Sequence, residues 1–129
     1  MENRSIGERK MSDYELELRD VLKDFSEKIN GNERVQKLIR RWSTSVLMWS
    51  KDQHFGYVLE VSSGRVSEMR KAMSENEGNV KVVGSTLTLV NMLRGKENIA
   101  HLYMDGVVET YGSEKDQIVL DAVAKILWS

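Results

Sequence analysis

The sequence predicts a single α+β domain, and three observations carry the prediction. The hydrophobic period changes from about 3.6 residues to 2 near Trp42, so helices and strands stand in blocks instead of alternating. The chain has 129 residues, which is enough for one domain with a core and too few for two ordinary ones. Apolar residues make up 40% and charged residues 30%, the balance of a globular protein.

The N-terminal part is predicted to be a tail followed by a helix. Residues 1–11 are polar and lack periodicity, so we expect a flexible tail there and one domain over residues 12–129. Ser12 can cap a helix, and Glu15 can reach back to complete a capping box. Apolar residues then recur on one helix face, namely Tyr14, Leu18, Val21, Leu22, Phe25 and Ile29.

A second helix and four strands are predicted next. Asn30-Gly31 marks the end of the first helix, and a shorter helix begins at about Glu33. Alternating apolar residues predict strands over residues 42–49, 55–61, 66–71 and 80–83. Because the first three strands have short connections, they are expected to pair as an antiparallel meander.

The C-terminal part completes the element order. It is predicted to contain a helix capped by Ser85, a short helical turn within residues 97–104, a strand over residues 107–111 and a helix capped by Ser113. The predicted order is therefore ααββββααβα.

Catalytic and cofactor signatures are absent from the sequence. It has no Gly-x-Gly-x-x-Gly, phosphate-loop, His-x-x-x-His or Gly-x-Ser-x-Gly motif. The absence of cysteine excludes disulfides, thiolate catalysis and sulfur-based zinc sites. His54 and His101 are far apart in sequence and lack the spacing of metal ligands. We therefore expect no enzyme activity, no cofactor and no metal.

The net charge and the hydropathy of the sequence limit the kinds of binding partner and the cellular location that we expect. A net charge of −1 gives no basic field, so a nucleic-acid partner is not expected. No apolar run reaches the roughly 18 residues of a membrane span, and the N-terminus lacks the apolar core of a secretory signal. A cytoplasmic location is the expectation.

One enzymatic alternative can be assembled near the fifth strand. Tyr103, Asp105, Glu109 and Tyr111 bring two phenols and two carboxylates close together in sequence. Facing one apolar cavity, they could transfer protons on a carbonyl compound, as in a small isomerase or hydratase.

The apolar residues of the first strand raise a separate question. Leu47 and Trp49 stand opposite Met48, so this strand is apolar on both faces near its end. Its second face needs a cover, which could be a partner helix, another subunit or a ligand. The seven methionines suit either an adaptable apolar site or an ordinary filled core.

The glycine and leucine spacing of the second half carries a family resemblance. The pattern consists of Gly84, Leu89, Leu93, Gly95-Lys96, Gly106 and Gly112. It resembles the C-terminal half of sterol carrier protein 2 domains. The resemblance implies a twisted, mostly antiparallel sheet of about five strands covered by helices, with an apolar tunnel between sheet and helices.

The resemblance also implies a function and a set of site residues. Relatives bind fatty acids, fatty acyl-CoA, sterols or other lipids, and this implies a lipid-carrier role in lipid transport. By position, the implied lining comprises Leu89, Met92, Leu93, Leu102, Met104, Ile118, Ala122 and Ile126. Arg94 and Lys96 are the candidates for an anionic head group. Transient membrane contact would accompany such a role.

The sequence departs from the family pattern in two places. Glu97-Asn98-Ile99 replaces the common Asn-Pro after the Gly-Lys helix, and Glu109 stands where basic residues are common. The second departure weakens the expectation of an anionic ligand. A filled-core interaction module that dimerises through Trp49 and Phe55, without a ligand, therefore stays open as the alternative.

Overall fold

The computed structural model describes residues 2–97 and 99–128, and its side chains over residues 13–97 and 101–128. In chain order the elements are α1 (Glu2–Gly31), α2 (Glu33–Ile39), β1 (Thr44–Ser50), β2 (Phe55–Ser62), β3 (Arg65–Lys71), β4 (Val80–Gly84), α3 (Thr86–Leu93), α4 (Ile99–Met104), β5 (Glu109–Tyr111) and α5 (Glu114–Leu127). This order confirms the predicted succession of helices and strands.

The first helix starts earlier than the sequence predicts. It begins at Glu2 and runs through Ser12, so the capping box at Ser12 and Glu15 does not mark its start. Residues 2–11, predicted as a tail, contain no proline and many good helix formers, so backbone hydrogen bonding continues beyond the turns that carry the apolar face. The domain boundary at residue 12 stays a prediction.

Side-chain caps fix the starts of three other helices. The hydroxyls of Ser85 and Ser113 accept hydrogen bonds from the backbone N–H groups of Thr88 and Asp116, as predicted. Asn32 caps α2 in the same way through Val35.

The five strands form one sheet in the order β3-β2-β1-β4-β5. β1 pairs antiparallel with β2, and β2 with β3, as the predicted meander requires. β4 then crosses back to lie parallel to β1, and β5 pairs antiparallel with β4. The sheet is therefore mostly antiparallel, with one parallel pair at its centre.

The helical face of the sheet carries the main core. Apolar side chains of α1, α2, α3 and α5 pack there against alternate residues of the central strands. Leu18 and Leu22 from α1 and Leu89 from α3 are completely buried. In the predicted α1 face, Leu18, Val21, Leu22, Phe25 and Ile29 all belong to this core.

On the opposite face of the sheet, the chain's own β3–β4 connection covers the central strands β1 and β2. Leu47, Trp49, Val58 and Ala72 form a second buried cluster there. Residues 72–79 are attached to the strands at both ends, since Ala72 N–H bonds Gly56 O at 2.8 Å and Asn79 N–H bonds Ser45 O at 2.9 Å. A Cβ on Gly78 would lie 2.9 Å from the Cβ of Leu47. The second apolar layer expected from the sequence is therefore part of the same chain.

This cover changes the interpretation of two aromatic residues. Trp49 is 8% exposed and Phe55 is 5% exposed, so neither offers a surface to a second subunit. The prediction that a dimer would assemble through them is wrong, because segment 72–79 and the main core already bury them.

Candidate functional site

A cleft of about 570 Å³ opens between α4, β5 and α5. Its lining residues are Val80, Tyr103, Met104, Thr110, Gly112, Glu114, Gln117, Ile118, Leu120 and Asp121. The volume falls within the usual range for small-molecule pockets, roughly 300–1,000 Å³.

Helix α5 supplies one wall of the cleft. Glu114, Gln117, Ile118 and Asp121 are three and four residues apart and therefore share one helix face. Leu120 turns toward the core and lies at the inner end of the cleft, where it is 6% exposed.

Hydrogen bonds hold this wall against the sheet. The hydroxyl of Thr110 donates to Gln117 Oε1 at 2.6 Å, and Gln117 Nε2 donates to the Gly112 carbonyl at 2.9 Å. The Asp116 carboxylate accepts from Trp42 Nε1 at 2.8 Å and from the Thr44 hydroxyl at 3.1 Å. The N-terminal half of α5 is thus anchored to both β1 and β5.

The electrostatic character of the cleft is acidic. Glu114 and Asp121 line it, and neither lysine nor arginine is among its lining residues. Lys125 pairs with Asp121 at 2.8 Å, but from one helical turn further along α5. An anionic head group in this cleft would meet carboxylates, and this repulsion is unfavourable.

The predicted head-group residues lie elsewhere. Arg94 follows α3 and pairs with Glu17 of α1 at 3.4 Å, and Lys96 is exposed two residues later. Neither lines the cleft, so the structure does not bring these cations together with the cavity.

The predicted lining residues fall into three groups. Met104 and Ile118 line the cleft and are 80% and 60% exposed. Leu89, Met92 and Leu93 are buried in the core, and Leu102, Ala122 and Ile126 are partly buried. Of the remaining lining residues, the sequence analysis names only Tyr103, for the enzymatic alternative; the others were missed, although the spacing of the polar residues on α5 could have indicated a second functional face.

The space between the sheet, α3 and α5 is almost completely filled. It retains a void of about 10 Å³, which is at most the space of one water molecule. The void is bordered by Phe25, Met48, Val82, Met92, Leu93, Leu120, Ala124 and Trp128. An open tunnel is therefore not present at the place where the resemblance implies one.

Comparisons with known structures identify the architecture. The crystal structure of sterol carrier protein 2 superposes with a TM-score of 0.65 at 15% identity, covering 85% of this chain and 95% of that chain. The sterol carrier protein domain 2 of Helicoverpa armigera gives 0.66 at 11% identity, covering 87% and 88% of the two chains. The ubiquinone synthesis protein UbiJ-SCP2 gives 0.64 at 12% identity, covering 87% and 96%.

The chain has the sterol carrier protein 2 fold. The glycine and leucine spacing of the second half predicted this fold, and the superpositions confirm it. Neither the protein-family models nor the curated proteins give a match.

Within this sterol carrier protein 2 fold, the four residues of the enzymatic alternative are not brought to one cavity. Tyr103 lines the cleft. Glu109 and Tyr111 flank Thr110 in β5 and therefore lie on the strand face that points away from the cleft. Asp105 lies in the exposed turn after α4. The Tyr111 hydroxyl donates to the Glu109 carboxylate, and this bond raises the pKa of Tyr111. The proposed arrangement for proton transfer is therefore not formed.

Two other kinds of site are absent from the described residues. No helix in that part of the chain is long and apolar enough to cross a membrane. The same residues contain no cluster of three or more metal-ligating side chains.

A polar cluster at the start of α3 fixes the orientation of that helix. One carboxylate oxygen of Asp52 accepts hydrogen bonds from the Ser50 hydroxyl at 2.8 Å and from the Thr86 backbone N–H at 3.0 Å. Burial raises the pKa of Asp52, but these bonds and one from the Thr86 hydroxyl lower it below its ordinary value.

We expect Asp52→Ala to lower the free energy of unfolding by about 1–2 kcal/mol at neutral pH, because the Thr86 backbone N–H and one of the two buried hydroxyls, Ser50 and Thr86, which also bond each other, lose their acceptor. A carboxyl with a depressed pKa stabilises the fold above its unfolded-state pKa and loses that contribution as pH falls through its folded-state pKa. The difference from wild type should thus shrink below about pH 4 in urea unfolding. Asp52→Asn, which keeps one acceptor oxygen, is the control. An equal difference at pH 7 and pH 2.5 would contradict the role of the carboxylate charge.

Proposed function

We propose that this domain is a non-catalytic carrier that binds a neutral, largely apolar ligand in the cleft between α4, β5 and α5. The single observation that carries the proposal is the cleft itself, which has the volume of a small-molecule site and an apolar floor formed by Val80 and Leu120. The fold supports it, because two of the similar structures are named as sterol carrier proteins.

The charge of the cleft favours a neutral ligand. Each 100 Å² of apolar ligand surface removed from water contributes about 2.5 kcal/mol before ordering costs. A sterol gains this term and can place its hydroxyl beside Gln117 or Thr110. A fatty acid or acyl-CoA gains the same term but brings its anionic head toward Glu114 and Asp121. A sterol or a similar neutral lipid is therefore the preferred ligand class.

We expect Ile118→Glu to weaken binding of a fluorescent sterol at least tenfold, which is about 1.4 kcal/mol. The substitution replaces the apolar side chain of the α5 wall of the cleft with a charged one, at a position that is already 60% exposed, so the fold should tolerate it. Fluorescence titration of purified protein measures the affinity, with a fluorescent fatty acid as the anionic comparison.

Leu87→Glu is the matched control. Leu87 is similarly exposed, at 67%, but lies on α3 outside the cleft. It should leave the sterol affinity unchanged. A wild-type protein that binds neither probe, and that yields no lipid when gently purified protein is extracted and analysed by mass spectrometry, would refute the carrier function.

The filled interior supports a second candidate, an interaction module without a ligand. Because the void beside Trp128 is only about 10 Å³, side chains already fill the position of the expected tunnel and leave no space there for a lipid. Such a module would associate, as a homodimer or at a membrane surface, through the exposed apolar rim of Tyr103, Met104 and Ile118. Sedimentation velocity separates the two: an Ile118-dependent oligomer that binds no lipid supports the module.

A further inference from the structure

The indole of Trp128, a partly buried side chain, packs into the apolar space between the sheet, α3 and α5. It stacks on Phe25 with ring centroids 5.7 Å apart and planes inclined by 17°. Met48 and Val82 from the sheet and Met92 from α3 border the remaining void beside it. These three side chains are almost completely buried, so the indole lies in a site enclosed on several sides by protein.

The hydrogen-bonding capacity of the indole nitrogen is not satisfied in this site. Trp128 Nε1 is buried, and among the described residues it has no hydrogen-bond partner. A buried N–H group without an acceptor costs free energy relative to water, whereas an apolar ring of the same shape carries no such penalty. The site thus fits the shape of the indole and does not match its polar group.

The indole of Trp128 lies directly against the backbone at the end of α3. Gly95 follows α3 with φ +73°, and a Cβ there would lie 2.5 Å from Trp128 Cδ1. The left-handed conformation already favours glycine, and the contact with Trp128 excludes a side chain for a second reason. Trp128 is the residue that follows the last residue of α5. Its side chain is therefore positioned by packing contacts and not by a place within the helix.

The internal site and the cleft meet at one residue. Leu120 lines the cleft on one side and the void beside Trp128 on the other. Withdrawal of the indole would therefore leave a ring-shaped space that a single side chain separates from the cleft.

We propose that this internal space is a second subsite that takes a flat, neutral ring, and that Trp128 is its built-in occupant, displaced when such a ligand binds. The ligand class follows from the lining, since the side chains around the void are hydrophobic and two of them are methionines that adapt to aromatic rings. The subsite extends the proposed function, because the cleft would hold the rest of the ligand, but the subsite can be tested without the cleft.

The test is chemical rescue of Trp128→Ala by free indole. The variant should be less stable than wild type, and saturating indole should raise its Tm by about 4 °C or more while leaving wild-type Tm unchanged. Trp128→Phe, which keeps a ring in the site, is the matched control and should respond little. A folded Trp128→Ala protein with no response to indole would overturn the proposal. Should that variant not fold, Trp128→Leu provides the same comparison.

A second measurement follows the wild-type indole directly. In protein labelled with 5-fluorotryptophan, the ¹⁹F signal absent from Trp128→Phe belongs to Trp128. A neutral polycyclic probe such as pyrene should shift this signal toward that of exposed tryptophan and leave those of Trp42 and Trp49 in place. Pyrene binding without a Trp128 shift would overturn displacement. Indole rescue of Trp128→Ala, together with a wild-type protein that binds no sterol, would support the subsite while refuting the carrier function.

Discussion

Trp49→Asp is expected to unfold the protein and not merely to change its association. Trp49 belongs to the buried cluster with Leu47 and Val58, beneath segment 72–79. The substitution removes a large apolar side chain and leaves a carboxylate without a partner in apolar surroundings. Such changes cost about 4 kcal/mol or more, which is comparable to the whole stability of many domains. Circular dichroism with urea unfolding measures the loss.

Two control variants test whether the loss of stability comes from placing a charge in the buried cluster. Trp49→Phe keeps an apolar ring in the cluster and should cost much less than the aspartate, while Leu87→Asp places the same charge on an exposed position of α3 and should cost little. A Trp49→Asp protein with wild-type unfolding free energy would mean that segment 72–79 does not cover this face of the sheet.

Gly64→Ala is expected to lower the unfolding free energy by about 3 kcal/mol or more. Gly64 has φ +80° in the β2–β3 turn, and a Cβ there would lie 2.6 Å from the Ile39 carbonyl oxygen and 2.7 Å from Arg40 Cα. Because both atoms belong to the backbone at the end of α2, the clash cannot be relieved by rotating a side chain. Urea unfolding of the variant measures the effect.

Two other glycines distinguish the steric clash of the added Cβ from the conformational cost of a positive φ. Gly106 has φ +72° but open space around its Cβ position, so Gly106→Ala should cost only the conformational term of about 1–2 kcal/mol. Gly31 has open space and no positive φ, so Gly31→Ala should be neutral or slightly stabilising. Equal losses at Gly64 and Gly106 would show that the backbone contact with α2 is unimportant.

The parts of the fold that were predictable are those encoded locally. Ser85 and Ser113 cap their helices through neighbouring backbone groups, and alternation fixed β1 and β2. The start of α1 was mispredicted because a capping signal at Ser12 does not prevent residues of good helix propensity from extending the helix. Periodicity showed that Leu47 needed a cover but could not show that residues 72–79 provide it, since that contact joins distant parts of the chain.

The site was predictable only in part for a similar reason. Apolar spacing identifies buried residues, but it cannot tell a filled core from a lined cavity, and so Leu89 and Ile118 were assigned to one tunnel. The structure separates them, because Trp128 fills the space beside α3 while the open volume lies between α4 and α5. Thr110 and Gln117, two polar residues of the cleft, meet across the turn from β5 to α5, and apolar spacing carries no signal for that contact.

The strand order has a consequence for how this protein can meet other chains. Its two outermost strands are poor templates for adding a strand from another molecule: β5 has only three residues, and β3 carries Arg65, Glu68, Arg70 and Lys71. With both rims of the sheet protected in this way, intermolecular β-pairing is disfavoured. We therefore expect a ligand to be met at the cleft between α4, β5 and α5, and not by strand addition at either rim.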